Sequence, residues 1–104
     1  MMARSNGRIL VVEDDPMLAG MMVDLLLAEH YEVDGPHASV SDGMAALACH
    51  MPDGAVVDLH RPSRGASLLK DDLEAYAIPF LEGEDCGAHD LQRRLLPWLR
   101  HMRH

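Results

Sequence analysis

Glu13, Asp14 and Asp58 are the side chains in this sequence best placed to do chemistry. Each lies where an apolar run stops. Ile9-Leu10-Val11-Val12 leads into Glu13-Asp14-Asp15-Pro16, and Ala55-Val56-Val57 leads into Asp58. Buried strands that end in acid gather carboxylates at one edge of a sheet, and like charges held together cost free energy unless a cation joins them. A hard divalent cation prefers oxygen ligands, and Mg²⁺ takes one or two carboxylates while keeping several waters. The pattern predicts a divalent-metal and phosphoryl site, with Mg²⁺ held by Glu13, Asp14, Asp58 and the backbone carbonyl of His60. Asp58 would be the nucleophile. The His60 side chain, beside the carboxylates, is a further candidate to shift a nearby pKa or to bind metal itself.

The elements that must position these groups follow from periodicity. Arg8 to Val12 is a continuous β-branched and Leu run, predicting a short buried strand. Asp15 caps a helix whose first position is Pro16, and Leu18, Met22, Leu25 and Leu26 recur at helical spacing up to about His30. Tyr31 to Asp34 alternates and meets Gly35-Pro36, predicting a more peripheral strand. Ser39 or Ser41 caps a second helix carrying Met44, Leu47 and Ala48, closed by Met51-Pro52. Ala55 to Leu59 is a third strand. A third helix is expected from Ala66 to Tyr76, with Leu68, Leu69, Leu73 and Tyr76 inward. Ile78 to Leu81 is a fourth strand, and a last helix from Asp90 carries Leu91, Leu95 and Leu99, kinked or split by Pro97. Strict β-α alternation implies a parallel sheet covered on both faces, with its working site beyond the carboxyl ends of the strands. Glu13, Asp14 and Asp58 all fall there.

Composition narrows the function. The chain has 104 residues, 48% of them apolar, enough for a single domain with a real core and with residues 1–7 as a disordered N-terminus. The formal net charge of −8 argues against nucleic acid as a partner. The basic stretch Arg93, Arg94, Arg100 and Arg103 reads as a solvated helix face. No run is long enough to span a membrane, and no signal peptide precedes the first strand. Cys49 and Cys86 fit no metal or redox spacing, so they read as free thiols in a reducing cytoplasm. His30, His37, His50, His89, His101 and His104 read as surface residues.

At these positions the chain resembles the receiver domain of two-component response regulators. Arg8 to Pro16 resembles its first strand and acidic turn. Tyr31-Glu32-Val33 with Gly35-Pro36 is similar to its second strand, and Pro52 to Leu59 to the strand bearing the phospho-accepting Asp. Ile78-Pro79-Phe80 with Gly83 is similar to the receivers paired with HWE-type histidine kinases. The resemblance implies a flavodoxin-like, CheY-like doubly wound α/β fold, Mg²⁺ at Glu13, Asp14 and Asp58, and phosphorylation of Asp58 by a histidine kinase or phosphotransfer protein. It implies a signalling role without enzymatic turnover.

The departures from that family are specific. Glu82 is expected at the switch position, where a receiver has Ser or Thr. The lone lysine, Lys70, falls in the third helix rather than at the end of a fifth strand. A fourth helix and fifth strand are missing, a deficit of about 20 residues against a usual length of roughly 120. The expected sheet is therefore shortened to four strands, and the fourth is exposed at an edge. Exposed edges invite pairing, so Phe80, Leu81 and the apolar face of the last helix predict a homodimer surface. Two functions remain open: a stand-alone phospho-accepting receiver, or a pseudo-receiver used for binding or dimerisation without phosphorylation.

Overall fold

Four consecutive side chains, Ile9, Leu10, Val11 and Val12, are fully buried. They form the centre of strand β1 (Arg8–Glu13), whose two faces are both covered. The computed structural model describes residues 5–60, 65–83 and 88–102. After β1 come α1 (Pro16–Ala28), β2 (Glu32–His37), α2 (Val40–Cys49), β3 (Gly54–Asp58), α3 (Ala66–Ala75), β4 (Phe80–Gly83) and α4 (Ala88–Met102). All pairings are parallel, in the order β2-β1-β3-β4. This is the shortened receiver-like fold, with β2 and β4 as the edges. No helix among the described residues is long and apolar enough to cross a membrane.

The period-2 alternation of the strands divides the core. Ile9, Val11, Val56 and Leu81 face α1 and α4, where they meet Met22, Leu26, Leu95 and Leu99. Leu10, Val12, Ala55 and Val57 face α2 and α3, where they meet Val40, Leu47, Leu69 and Leu73. Asp15 caps α1 as its sequence predicts, accepting from the amides of Met17 (2.9 Å) and Leu18 (3.3 Å). Ser39, rather than Ser41, caps α2 through the amide of Asp42.

Several boundaries depart from expectation. β2 runs on through Gly35-Pro36 to His37, because a register shift between Leu10 and Val12 absorbs the proline. Gly35 has φ +118°, and a Cβ there would strike the carbonyl of Val11. β4 begins at Phe80, two residues later than Ile78, because the Ile78 amide is engaged with Leu73 O (2.8 Å) at the end of α3. Leu68 and Tyr76, expected inward, are 58% and 56% exposed, since the face of α3 that carries Leu69 and Leu73 is the one turned into the core. Ala48 is likewise exposed. α4 is one helix through Pro97, with buried Leu95 and Leu99 seating the turns on both sides of it.

Of the apolar surface expected to pair two copies, Leu81, Leu95 and Leu99 are buried within one copy, and Phe80 is half-buried. Asn6 and Gly7, in the stretch expected to be disordered, are bonded to the body: Asn6 N donates to His30 O, and Gly7 O accepts from Glu32 N, both at 2.8 Å. The expected turn at 84–87, with Cys86, and the terminal His104 lie outside the described residues.

Candidate metal centre

β1 and β3 pair in register, so Glu13 stands beside Asp58 at their carboxyl ends. The same register continues into β4 and puts Gly83 beside Asp58. Both acids are 2% exposed. Their burial follows from alternation: positions 9, 11 and 13 share a face, as do 56 and 58, and that face is the one covered by α1 and α4.

A third donor enters from the loop after β3. His60 Nε2 lies 3.3 Å from Glu13 Oε2 and 3.3 Å from Asp58 Oδ2. The three residues offer ligand atoms that all lie within 4.8 Å of one another. The His60 amide donates to Asp14 Oδ1 (3.0 Å) and Oδ2 (3.2 Å), which fixes the loop where the ring turns inward. An open depression of about 240 Å³ beside the cluster is lined by Asp14, Asp15, Pro16 and His60.

Glu13 carries the electrostatic cost of the arrangement. Burial pushes its carboxyl up to about 8. The hydrogen bond with Asp58 and the charge of Asp58 add to the rise, against the Asp15 amide and His60, which lower it. Glu13 Oε2 accepts from the Asp15 amide (3.1 Å), whereas Oε1 is buried without a hydrogen-bond partner among the described residues. Desolvation works against a charged His60, but Asp58, Glu13 and Asp14 together outweigh it and raise its pKa above 6.5.

Of the predicted ligands, the structure brings together Glu13 and Asp58. Asp14 sits beside them, with its carboxylate on the His60 amide. The His60 contribution seen among the carboxylates is its imidazole; the sequence had singled out mainly its carbonyl. Glu82, expected at the switch position, is one register step short of Asp58. It pairs with Val57 on the α3 side of the sheet, where its carboxylate meets Lys70 Nζ at 2.7 Å. The neighbour of Asp58 on β4 is Gly83, and a Cβ there would collide with the Asp58 carboxylate. The later start of β4 is the signal that would have identified Gly83, and no periodicity in a four-residue strand carries it.

No family model matches the sequence, and no curated protein matches it. Among solved structures, the chain is similar to the BeF3-activated conformation of SdrG from Pseudomonas melonis Fr1. The identity is 29%, over 81% of this chain and 74% of that one, with a TM-score of 0.62. SdrG is a response-regulator receiver. The likeness supports a receiver domain. It also supports a response-regulator function in two-component signalling.

Proposed function

We propose that this receiver domain accepts a phosphoryl group on Asp58 from the phosphohistidine of a histidine kinase or phosphotransfer protein. The observation that carries the reading is the placement of Asp58. It is buried at the carboxyl end of a central strand, in register with Glu13, in a fold similar to a receiver solved in a BeF3-activated state. BeF3 is a chemical mimic of a phosphoryl group, so it points to phosphoryl chemistry at the equivalent edge.

The step balances simply. A carboxylate oxygen of Asp58 attacks phosphorus, the P–O bond forms as the P–N bond of the donor breaks, and the departing imidazole nitrogen takes up a proton. Glu13 and Asp58 fit a divalent cation, because Glu13 Oε1 is a buried acceptor that no group among the described residues satisfies. A cation bound there would offset the charge that gathers on the carboxylates and phosphoryl oxygens. His60 would hold its ring over the same edge, and Gly83 leaves room for the Asp58 carboxylate.

The finer assignments rest on the sequence pattern. The kinase is of the HWE type, the setting is the cytoplasm, a divalent cation completes the centre, and two copies pair along the free edge of β4. The domain signals by contact and has no catalytic turnover of its own. Incubation with a small phosphodonor and Mg²⁺ tests the central claim by intact mass: the wild type should gain one phosphoryl group and Asp58→Ala none. Equal masses for the two would end the phospho-acceptor reading.

One observation favours the pseudo-receiver instead. Lys70, the lone lysine, is bonded to Glu82 rather than directed at Asp58. Under that reading the phosphodonor leaves no mass gain, and the domain binds its partner equally well with Asp58→Ala.

A further inference from the structure

We infer that the His60 side chain makes this centre a mixed oxygen–nitrogen site that selects a transition divalent cation, of the Co²⁺ or Zn²⁺ kind, over Mg²⁺. The inference deepens the proposed phosphoryl site by naming its cation class, and it rests on that reading only for location.

The first argument is distance. His60 Nε2 is 3.3 Å from an oxygen of each carboxylate. Two donors on one tetrahedral ion, each about 2.0–2.1 Å from it, stand roughly 3.3 Å apart. Adjacent donors on an octahedral Mg²⁺ stand closer, at about 2.9 Å. The spacing of the ring nitrogen from each carboxylate is thus that of two donors on a small tetrahedral ion.

The second argument is donor chemistry. Imidazole is a good ligand for transition metals, whereas Mg²⁺ favours carboxylate, carbonyl and water oxygens. A ring nitrogen inserted between two buried carboxylates removes space that Mg²⁺ would fill with water. The third is the unsatisfied acceptor. Glu13 Oε1 is buried without a partner, and no side chain among the described residues donates to it. A cation is the donor that would satisfy it. Finally, the ring is held in place: the Asp14 carboxylate grips the His60 amide, so the loop need not reorganise to deliver the nitrogen.

The test uses the full chain stripped of metal by chelation. Co²⁺ is titrated against the wild type and His60→Asn, followed by visible d–d absorption, with calorimetric titrations of Co²⁺ and Mg²⁺ in parallel. In the wild type, Co²⁺ should bind one to one and at least about tenfold more tightly than Mg²⁺. His60→Asn should lose about tenfold or more in Co²⁺ affinity and change the absorption band, while its Mg²⁺ affinity moves much less. The other histidines are common to both proteins, so any binding to them cancels in the comparison. Because His60 is exposed, the substitution should leave folding intact. A measurement on the wild type alone guards against its failure: the His60 ring resonances should shift and broaden at the first substoichiometric Co²⁺. Equal Co²⁺ binding by the two proteins, tighter Mg²⁺ than Co²⁺ binding in the wild type, or unbroadened His60 resonances would each overturn the inference. None of these readouts involves phosphorylation, so its failure is distinguishable from failure of the phospho-acceptor reading.

Discussion

Two glutamates near the carboxyl ends of β1 and β4, in the same sheet, meet opposite fates. Glu13 closes β1 on the face covered by α1 and α4, its side chain sealed from solvent among a second carboxylate and an imidazole. Glu82 lies in β4 on the α3 side, its side chain 44% exposed and paired with Lys70. The residue type is the same, and the difference lies in what surrounds it. An exposed pair with a cation of its own is nearly neutral in free energy. A buried acid beside another acid is costly, and such cost persists where a ligand relieves it.

The largest effect that would break this contrast is pH dependence in the metal-free protein. Glu13 titrates at about 8 when folded against an ordinary 4.5. The folded state therefore holds this proton more tightly. Its stabilising contribution is complete below about pH 4.5 and is lost as pH rises through about 8. His60 is raised too, which works in the same direction. Chelated wild type should lose stability over this window by on the order of a few kcal/mol, and Glu13→Gln should flatten the curve. Thermal melts from pH 5 to 9 check it. A Glu13→Gln curve as steep as wild type would show that the cost lies elsewhere.

Adding a cation should restore what pH removes. At a hundredfold excess over Kd, a divalent ion stabilises the wild type by about 2.7 kcal/mol. Glu13→Gln should lose most of that gain in the same melts. Next in size is Gly83→Ala, which pushes a methyl group into the Asp58 carboxylate. It should cost about 1–3 kcal/mol in denaturant unfolding and weaken cation binding as well. The smallest effect belongs to the exposed pair: Lys70→Met should change stability by less than about 1 kcal/mol, and by less still in high salt. A larger loss would erase the contrast between the two glutamates.

How far all this could be read from the chain depends on what carries each feature. Ile9 to Val12 and Ala55 to Val57 are unbroken apolar runs ending in acid, so β1, β3 and the Glu13–Asp58 edge were legible. Asp15-Pro16 marked the start of α1 for an equally local reason. The faces of α3 were less so, because Leu68 and Leu69 are adjacent and only packing decides which one turns inward. The position of Gly83 depends on where β4 starts pairing, which is set by the Ile78 amide closing α3. The entry of the His60 ring depends on a loop held by Asp14, a contact between residues 46 apart that no local pattern encodes.

α4 touches both ends of the sheet. Arg94 Nη2 donates to Glu82 O (2.6 Å) at the carboxyl end, while Met102 and Trp98 crowd Gly54 at the opposite end. Tyr31 Oη donates to Leu99 O across 68 residues of sequence. For folding kinetics, one whole side of the core cannot close until residues 95–102 have been synthesised and have returned to the first strand. The α2/α3 side can assemble earlier from segments nearer in sequence. A nascent chain would thus hold one half of its sheet packed while Ile9, Val11 and Val56 stay open to solvent or to a chaperone, and the last helix sets the time at which that exposure ends.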